Sequence, residues 1–192
     1  MMKEFLDQKH RHIPSRLEMT EQRMPAEHVV EVYDLLASRG VDIWIDGGWG
    51  VDALLEQQTR EHSDLDIAIQ VKDLPIMKES LELRGYRGKG KPNARPWNFV
   101  LRDSSGHEID VHAITLDSAG NGIYGPQENR EMYPASSLTG SGVIAGRAVH
   151  CISPEDMVNF HSGYELDEND FHDVLALCEK FGIEVPAGVP RR

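Results

Sequence analysis

The chain has 192 residues, room for one domain and a sizeable core at about 100–200 residues per domain. With 40% hydrophobic and 27% charged residues, it is neither wholly disordered nor a membrane protein: no apolar run nears the roughly 20 residues of a spanning helix. Its 32 acidic against 20 basic side chains give a net charge of -12, which repels polyanions, argues against nucleic acid as main partner and favours cationic small molecules.

Residues 1–24 are polar and weakly patterned, and read as a loosely attached extension without the apolar segment of a signal peptide. A helix is expected from Pro25 to Arg39, with Val29, Val32, Tyr33 and Leu36 as its apolar stripe and Gly40 as its stop. The β-rich run Val41 to Ile45 ends at Asp46-Gly47-Gly48, and a second helix opens near Trp49 or Gly50. Residues 64–71 form a strand, and Asp73 caps a helix running to Arg84. Trp97 to Arg102 and His107 to Leu116 pair through a turn at residues 103–106. Residues 117–137, with glycines, Pro126 and Pro134, read as a long surface loop, and Leu138 to Ile152 as a hairpin turning near Ala145-Gly146. Two helices close the chain. Ser153 caps one; Asp167 caps the other, which buries Phe171, Val174, Cys178 and Phe181 before Gly182.

This order predicts an α/β (α+β) fold with a mixed sheet flanked by helices. The expected organisation is an extension (1–24), a core (25–152) and a C-terminal helical pair packed on it (153–183). Cys151 and Cys178 are too few for a disulfide framework and fit reduced core thiols of a cytoplasmic protein.

The chemistry concentrates at two places. Asp46-Gly47-Gly48-Trp49-Gly50 puts glycines between a strand and a helix, where backbone N–H groups can approach a phosphate. A tight turn without a ligand fits equally well, and no Lys-Ser/Thr pair follows to make a P-loop. Asp64-Leu65-Asp66 then sends two carboxylates to one strand face. Like charges side by side call for a cation, and oxygen-only ligands with substrate phosphates suit Mg²⁺; a polar strand start in water is the other reading. Asp110, in Glu108-Ile109-Asp110-Val111-His112, stands on the polar face of a different strand. If the two strands are neighbours, three carboxylates meet before a glycine turn, a set suited to phosphoryl or nucleotidyl transfer.

Ile45 to Leu55, Thr59 to Ile67, Glu108 to His112 and His161 to Glu165 with Asp173-Val174 together resemble the lincosamide nucleotidyltransferases and the related aminoglycoside nucleotidyltransferases. The resemblance covers about residues 25–183. It implies the nucleotidyltransferase fold, Mg²⁺ and ATP, and transfer of AMP to a hydroxyl of a small-molecule antibiotic. It implies Asp64 and Asp66 as metal ligands and Asp110 as third carboxylate. The Gly-Ser that commonly follows the first strand in the wider superfamily is Gly48-Trp49 here, without the serine hydroxyl.

Asp110 is the natural general base, since Asp64 and Asp66 share one face and engage the cation; a metal-ligand role for Asp110 is compatible with this. Gly47, Gly48 and Arg60 are candidate nucleotide contacts. Residues 84–102 carry six cations and no acid, a candidate rim for the triphosphate, with Lys91 and Arg95 foremost because Pro92 and Pro96 stiffen that loop. His62, His112, His161, Tyr164 and Glu165 can face the cleft or serve structure. Two rival readings stay open: transfer to a protein hydroxyl or an unknown metabolite, and a metal-dependent hydrolase built from His62, Asp64, Asp66, His107 and His112. The acceptor's identity and the oligomeric state are not legible.

Overall fold

Period-two alternation builds the centre of the molecule. The computed structural model describes residues 23–90, 94–126, 128, 131–161 and 166–189; Lys91, Tyr164, Glu165 and residues 1–22 lie outside them. Strand β1 (Ile43–Asp46) runs antiparallel to β2 (Asp64–Gln70), which runs parallel to β5 (Glu108–Leu116). Strand β4 (Asn98–Arg102) adds antiparallel to β5, with β3 (Arg87–Lys89) outside it. On the other side β9 (Arg147–Cys151) lies parallel to β1, followed by β8 (Gly140–Ile144). The order β3-β4-β5-β2-β1-β9-β8 is a mixed sheet, as expected.

Alternate residues of the three central strands enter the core. Ile45, Leu65, Ile67, Ile69, Ile109 and Val111 are all fully buried, and each such side chain contributes about 1.5–3 kcal/mol on leaving water. Helix α1 (Ala26–Ser38) buries the expected stripe Val29, Val32, Tyr33 and Leu36. Helix α3 (Leu74–Leu83) adds Met77 and Leu81 to the same cluster and lays Lys78 over the Phe99 ring of β4. At the other end α2 (Gly47–Leu55) packs on β8, α4 (Pro154–Phe160) and α5 (Glu168–Phe181). Ser153 caps α4, and Asp167 with Asp170 forms a capping box on α5. Both cysteines are buried free thiols. No helix among the described residues is long and apolar enough to cross a membrane.

The structure departs from the sequence expectation at six places. Helix α2 opens at Gly47, before Trp49, because Asp46 accepts from the Gly47 N–H at 2.8 Å and so caps it. Residues 117–137 are not a loop throughout. They contain β6 (Gly122–Tyr124), paired to β5 through Ile114–Tyr124, and β7 (Met132–Tyr133), paired to β6. Strands of two or three residues are too short to display a period, which also hid β3. Phe181 is not buried: at 39% exposure it ends α5 in solvent, beside the Lys180 ammonium. Asp73 sits at the N-cap position of α3 but makes no capping hydrogen bond. Met24, assigned to the loose extension, is buried, and its N–H bonds the His62 carbonyl at 2.8 Å.

Candidate active site

The strand registers align carboxylates laterally. Asp46 of β1 stands opposite Asp66 of β2, and Asp66 opposite Asp110 of β5. Partners in register share a face, so one row of three acids crosses the sheet. The next row towards the helix N-terminus pairs Asp64 with Glu108, and the next the other way pairs Ala68 with His112. Like charges directly opposite on neighbouring strands destabilise a sheet. Such a row is an energetic cost at the place where three strands meet.

Around it lies a cavity of about 760 Å³, lined by Asp46, Gly47, Asp66, His112, Tyr124 and Tyr133 with Glu131, Met132, Phe160 and His161. The β6–β7 ribbon supplies Tyr124, Met132 and Tyr133 to this wall. Tyr133 stands edge-on to both Tyr124 and Phe160, centroids 6.0 and 5.3 Å apart. Burial, then the charge of Asp110, pushes the Tyr124 hydroxyl up to about 12. Burial, then Asp46, holds Tyr133 well above the ordinary phenol value. Both stay protonated donors at neutral pH.

That fixes the direction of a hydrogen-bond chain. A carboxylate only accepts, so the Tyr133 hydroxyl donates to Asp46 Oδ2 at 3.0 Å. Its oxygen then accepts from His112 Nδ1–H at 2.8 Å. The opposite ring nitrogen, Nε2, is thereby turned towards Asp110 Oδ1, 3.8 Å away. Asn98 of β4 approaches the same Asp110 oxygen with its amide nitrogen at 3.3 Å. Asp46 and Tyr133 were not singled out in the sequence. The only available signal for Asp46 was a carboxylate at the strand end before the glycines.

Gly47 and Gly48 are held to glycine by close approach. Gly47 has φ +56°, and a Cβ there would lie 2.3 Å from Asp66 Oδ2; at Gly48 it would meet His62 Nδ1 and an Arg60 guanidinium nitrogen. Arg60 thus sits over the first turn of α2, half-buried, and donates to Asp173 of α5 from Nε at 3.2 Å and Nη2 at 2.7 Å. Trp49, at the position of the missing serine, is buried with its ring 4.7 Å from that of His62. His62 is buried and bonds Asp52 through Nε2. Arg95 pairs backbone to backbone with Asn98, one residue step from the groups around Asp110. Lys89 and Arg102 of the basic stretch are tied to Glu108.

The donor set suits a divalent metal. One ligand atom each from Asp66, Asp110 and His112 lie within 4.8 Å of one another, at intermediate burial, and Asp64 follows on the same face of β2. Two carboxylates in register, with a third beside them, fit a hard cation that also takes phosphate oxygens. The five-residue hydrolase set is not assembled: His62 is engaged by Asp52, and His107 lies on the opposite face of β5, beside Asp103 and His28.

A mixed sheet carrying this acidic row at a glycine-opened helix defines a nucleotidyltransferase. A family profile described as aminoglycoside-2''-adenylyltransferase matches residues 28–177, and the chain belongs to that family of antibiotic nucleotidyltransferases. Its members are enzymes that use a nucleotide and a divalent metal. The chain is 32% identical over 146 residues to a lincosamide resistance protein of Staphylococcus haemolyticus, covering 76% of this chain and 89% of that one. It is 29% identical to a 2''-aminoglycoside nucleotidyltransferase of Klebsiella pneumoniae, over 70% and 73% of the two chains. Its structure is similar to that of the lincosamide antibiotic adenylyltransferase LnuA with lincomycin bound (TM-score 0.72, 29% identity, 85% of this chain and 100% of that one). It shares its fold with ANT(2'')-Ia in complex with adenylyl-2''-tobramycin (TM-score 0.64, 21% identity, 82% and 89% covered).

Proposed function

We propose that the protein transfers AMP from Mg²⁺-ATP to a hydroxyl of a small-molecule antibiotic, a lincosamide or an aminoglycoside. The observation that carries this is the carboxylate row Asp46, Asp66, Asp110, of which Asp46 and Asp66 line a cavity with an aromatic wall. Asp64 and Asp66 would hold the metal, with the Asp110 carboxylate and His112 in reach of it. The chemistry such an ion would supply is neutralisation of the triphosphate and polarisation of the α-phosphorus.

The chain's own side chains do the rest. Asp110 accepts the proton of the acceptor hydroxyl as the new P–O bond forms and the bond to pyrophosphate breaks. Asn98 steadies that carboxylate, and the Asp46–Tyr133–His112 chain holds the imidazole beside it. The Gly48 backbone N–H, with Arg60 above it, receives a phosphate oxygen at the positive end of α2, while Gly47, its own N–H held by Asp46, lets the phosphate approach the backbone closely. Arg95, from the segment before β4, and Lys91, outside the described residues, serve the leaving pyrophosphate. Glu131 and Asp46 offer negative charge to an acceptor ammonium, and Tyr124, Tyr133 and Phe160 offer a surface for its apolar or sugar face. The setting is cytoplasmic, where ATP and Mg²⁺ are available.

The test is incubation with ATP, Mg²⁺ and a panel of lincosamides and aminoglycosides, read by mass spectrometry. The expected result is one acceptor gaining one AMP, with no product in excess chelator. Product forming at full rate in chelator overturns the metal-centred mechanism; AMP appearing only on protein overturns the small-molecule acceptor.

A further inference from the structure

His107 immediately precedes β5 and has the opposite face parity from Glu108, Asp110 and His112, so it lies on the α1 side of the sheet. There it meets His28 of α1, ring centroids 4.1 Å apart and tilted by 31°. Asp103, from the β4–β5 turn, completes a cluster in which one ligand atom of each residue lies within 4.8 Å of the others. We propose that His28, His107 and Asp103 form a second, non-catalytic metal site, selective for a borderline transition ion such as Zn²⁺.

The donor chemistry differs from that of the cleft. Two imidazoles with a carboxylate suit Zn²⁺, Ni²⁺ or Cu²⁺, whereas the acidic row suits a hard ion. Each ring is already oriented through one nitrogen. His107 Nδ1 bonds Asp103 Oδ2 at 2.9 Å while its main-chain N–H bonds Oδ1 at 2.8 Å. His28 Nε2 bonds the Tyr86 hydroxyl at 2.7 Å. The Tyr86 hydroxyl is the usual kind of outer support for a histidine ligand, whereas His107 Nδ1 and Asp103 Oδ2 are themselves a ligand pair, an entering ion taking the place of the proton between them. A second carboxylate is at hand, with Glu31 Oε2 3.5 Å from His28 Nδ1, so two acids balance a dication held by two neutral rings.

Reach and access also fit. Ligands about 2.0–2.1 Å from a tetrahedral ion stand about 3.4 Å apart, and the ligand atoms here already lie within 4.8 Å of one another, a gap of the size that side-chain rotation covers. The side chains of His28, His107 and Asp103 are 22%, 19% and 10% exposed, shielded yet open to an entering ion. A bound ion would staple α1 to the β4–β5 turn, behind the cleft.

Zn²⁺ titration by calorimetry, in the Asp66→Asn/Asp110→Asn variant, removes the catalytic cluster from the measurement. One equivalent should bind, with affinity falling about 100-fold or more on adding His28→Gln or His107→Gln. Zn²⁺ should raise the thermal midpoint only when both histidines are present, and Co²⁺ should give a visible absorption band with the same dependence. Glutamine keeps size and hydrogen bonding, and circular dichroism checks that each variant is folded. His107→Gln in the otherwise unaltered chain should leave adenylyl transfer unchanged. Absence of Zn²⁺ binding up to millimolar concentration overturns the proposal, as does binding indifferent to both glutamine variants. Neither result bears on the acceptor reading.

Discussion

Along β2, Leu65, Ile67 and Ile69 face the core under α1 and α3, while Asp64 and Asp66 face the cleft. The same alternation separates Ile109 and Val111 from Asp110 and His112 on β5. One backbone thus carries two surfaces of opposite logic. The apolar face lowers the free energy of the fold with every residue. The cleft face raises it, by lining up three acids that would each be more stable apart. A protein keeps so unfavourable a row where chemistry needs it, and substitutions on the two faces should therefore fail in different ways.

The largest effect is expected at Asp110→Asn. Loss of the base should lower turnover about 10²–10⁴-fold with nucleotide affinity near normal. The thermal midpoint should hold or rise, since a like charge leaves the row. A parallel collapse of nucleotide affinity would make Asp110 chiefly a metal ligand. Leu65→Ala, one residue before Asp66, should do the reverse. It should cost about 2–5 kcal/mol of stability by denaturant titration while the folded fraction keeps its turnover.

Smaller effects sharpen the boundary between the faces. Gly47→Ala places a side chain at φ +56°, against Asp66; a left-handed conformation costs an ordinary residue about 1–2 kcal/mol. If Asp66 holds the metal as proposed, the metal concentration needed for half-maximal activity should rise as well. If only stability changes, Asp66 can move aside without consequence. Tyr133→Phe removes the link between Asp46 and His112, worth about 1 kcal/mol. Turnover should fall several-fold with ATP affinity unchanged; an unaltered turnover would show the chain to be packing alone. Smallest is the salt response: acceptor affinity should weaken modestly between low and high ionic strength if Asp46 and Glu131 hold an ammonium.

The apolar face was legible because Leu65-Asp66-Ile67 and Ile109-Asp110-Val111 display their period within one strand. The same alternation exposed Asp64, Asp66 and Asp110. Asp46 was not legible as a site residue, since its place depends on which strand lies beside β1, and strand order is not written locally. Tyr124 and Tyr133 were hidden for a related reason: their strands are too short to show a pattern among the glycines and prolines of residues 117–137. Arg60 was read as a nucleotide contact, but its partner Asp173 stands 113 residues further on, beyond any local signal.

That separation bears on the order in which the molecule takes shape during synthesis. Chains emerge from the ribosome from the N-terminus at about 5–20 residues per second, so the carboxylates of β2 are made well before α5. Until Asp173 emerges, Arg60 has no α5 counter-ion and α2 lacks one of the helices packed on it. The parallel pairing of β1 with β9 waits almost as long. The Arg60 end of the cleft is therefore a late product of translation, and a chain arrested before α5 would carry Asp46, Asp66 and Asp110 without the support that holds Arg60 over the glycine turn.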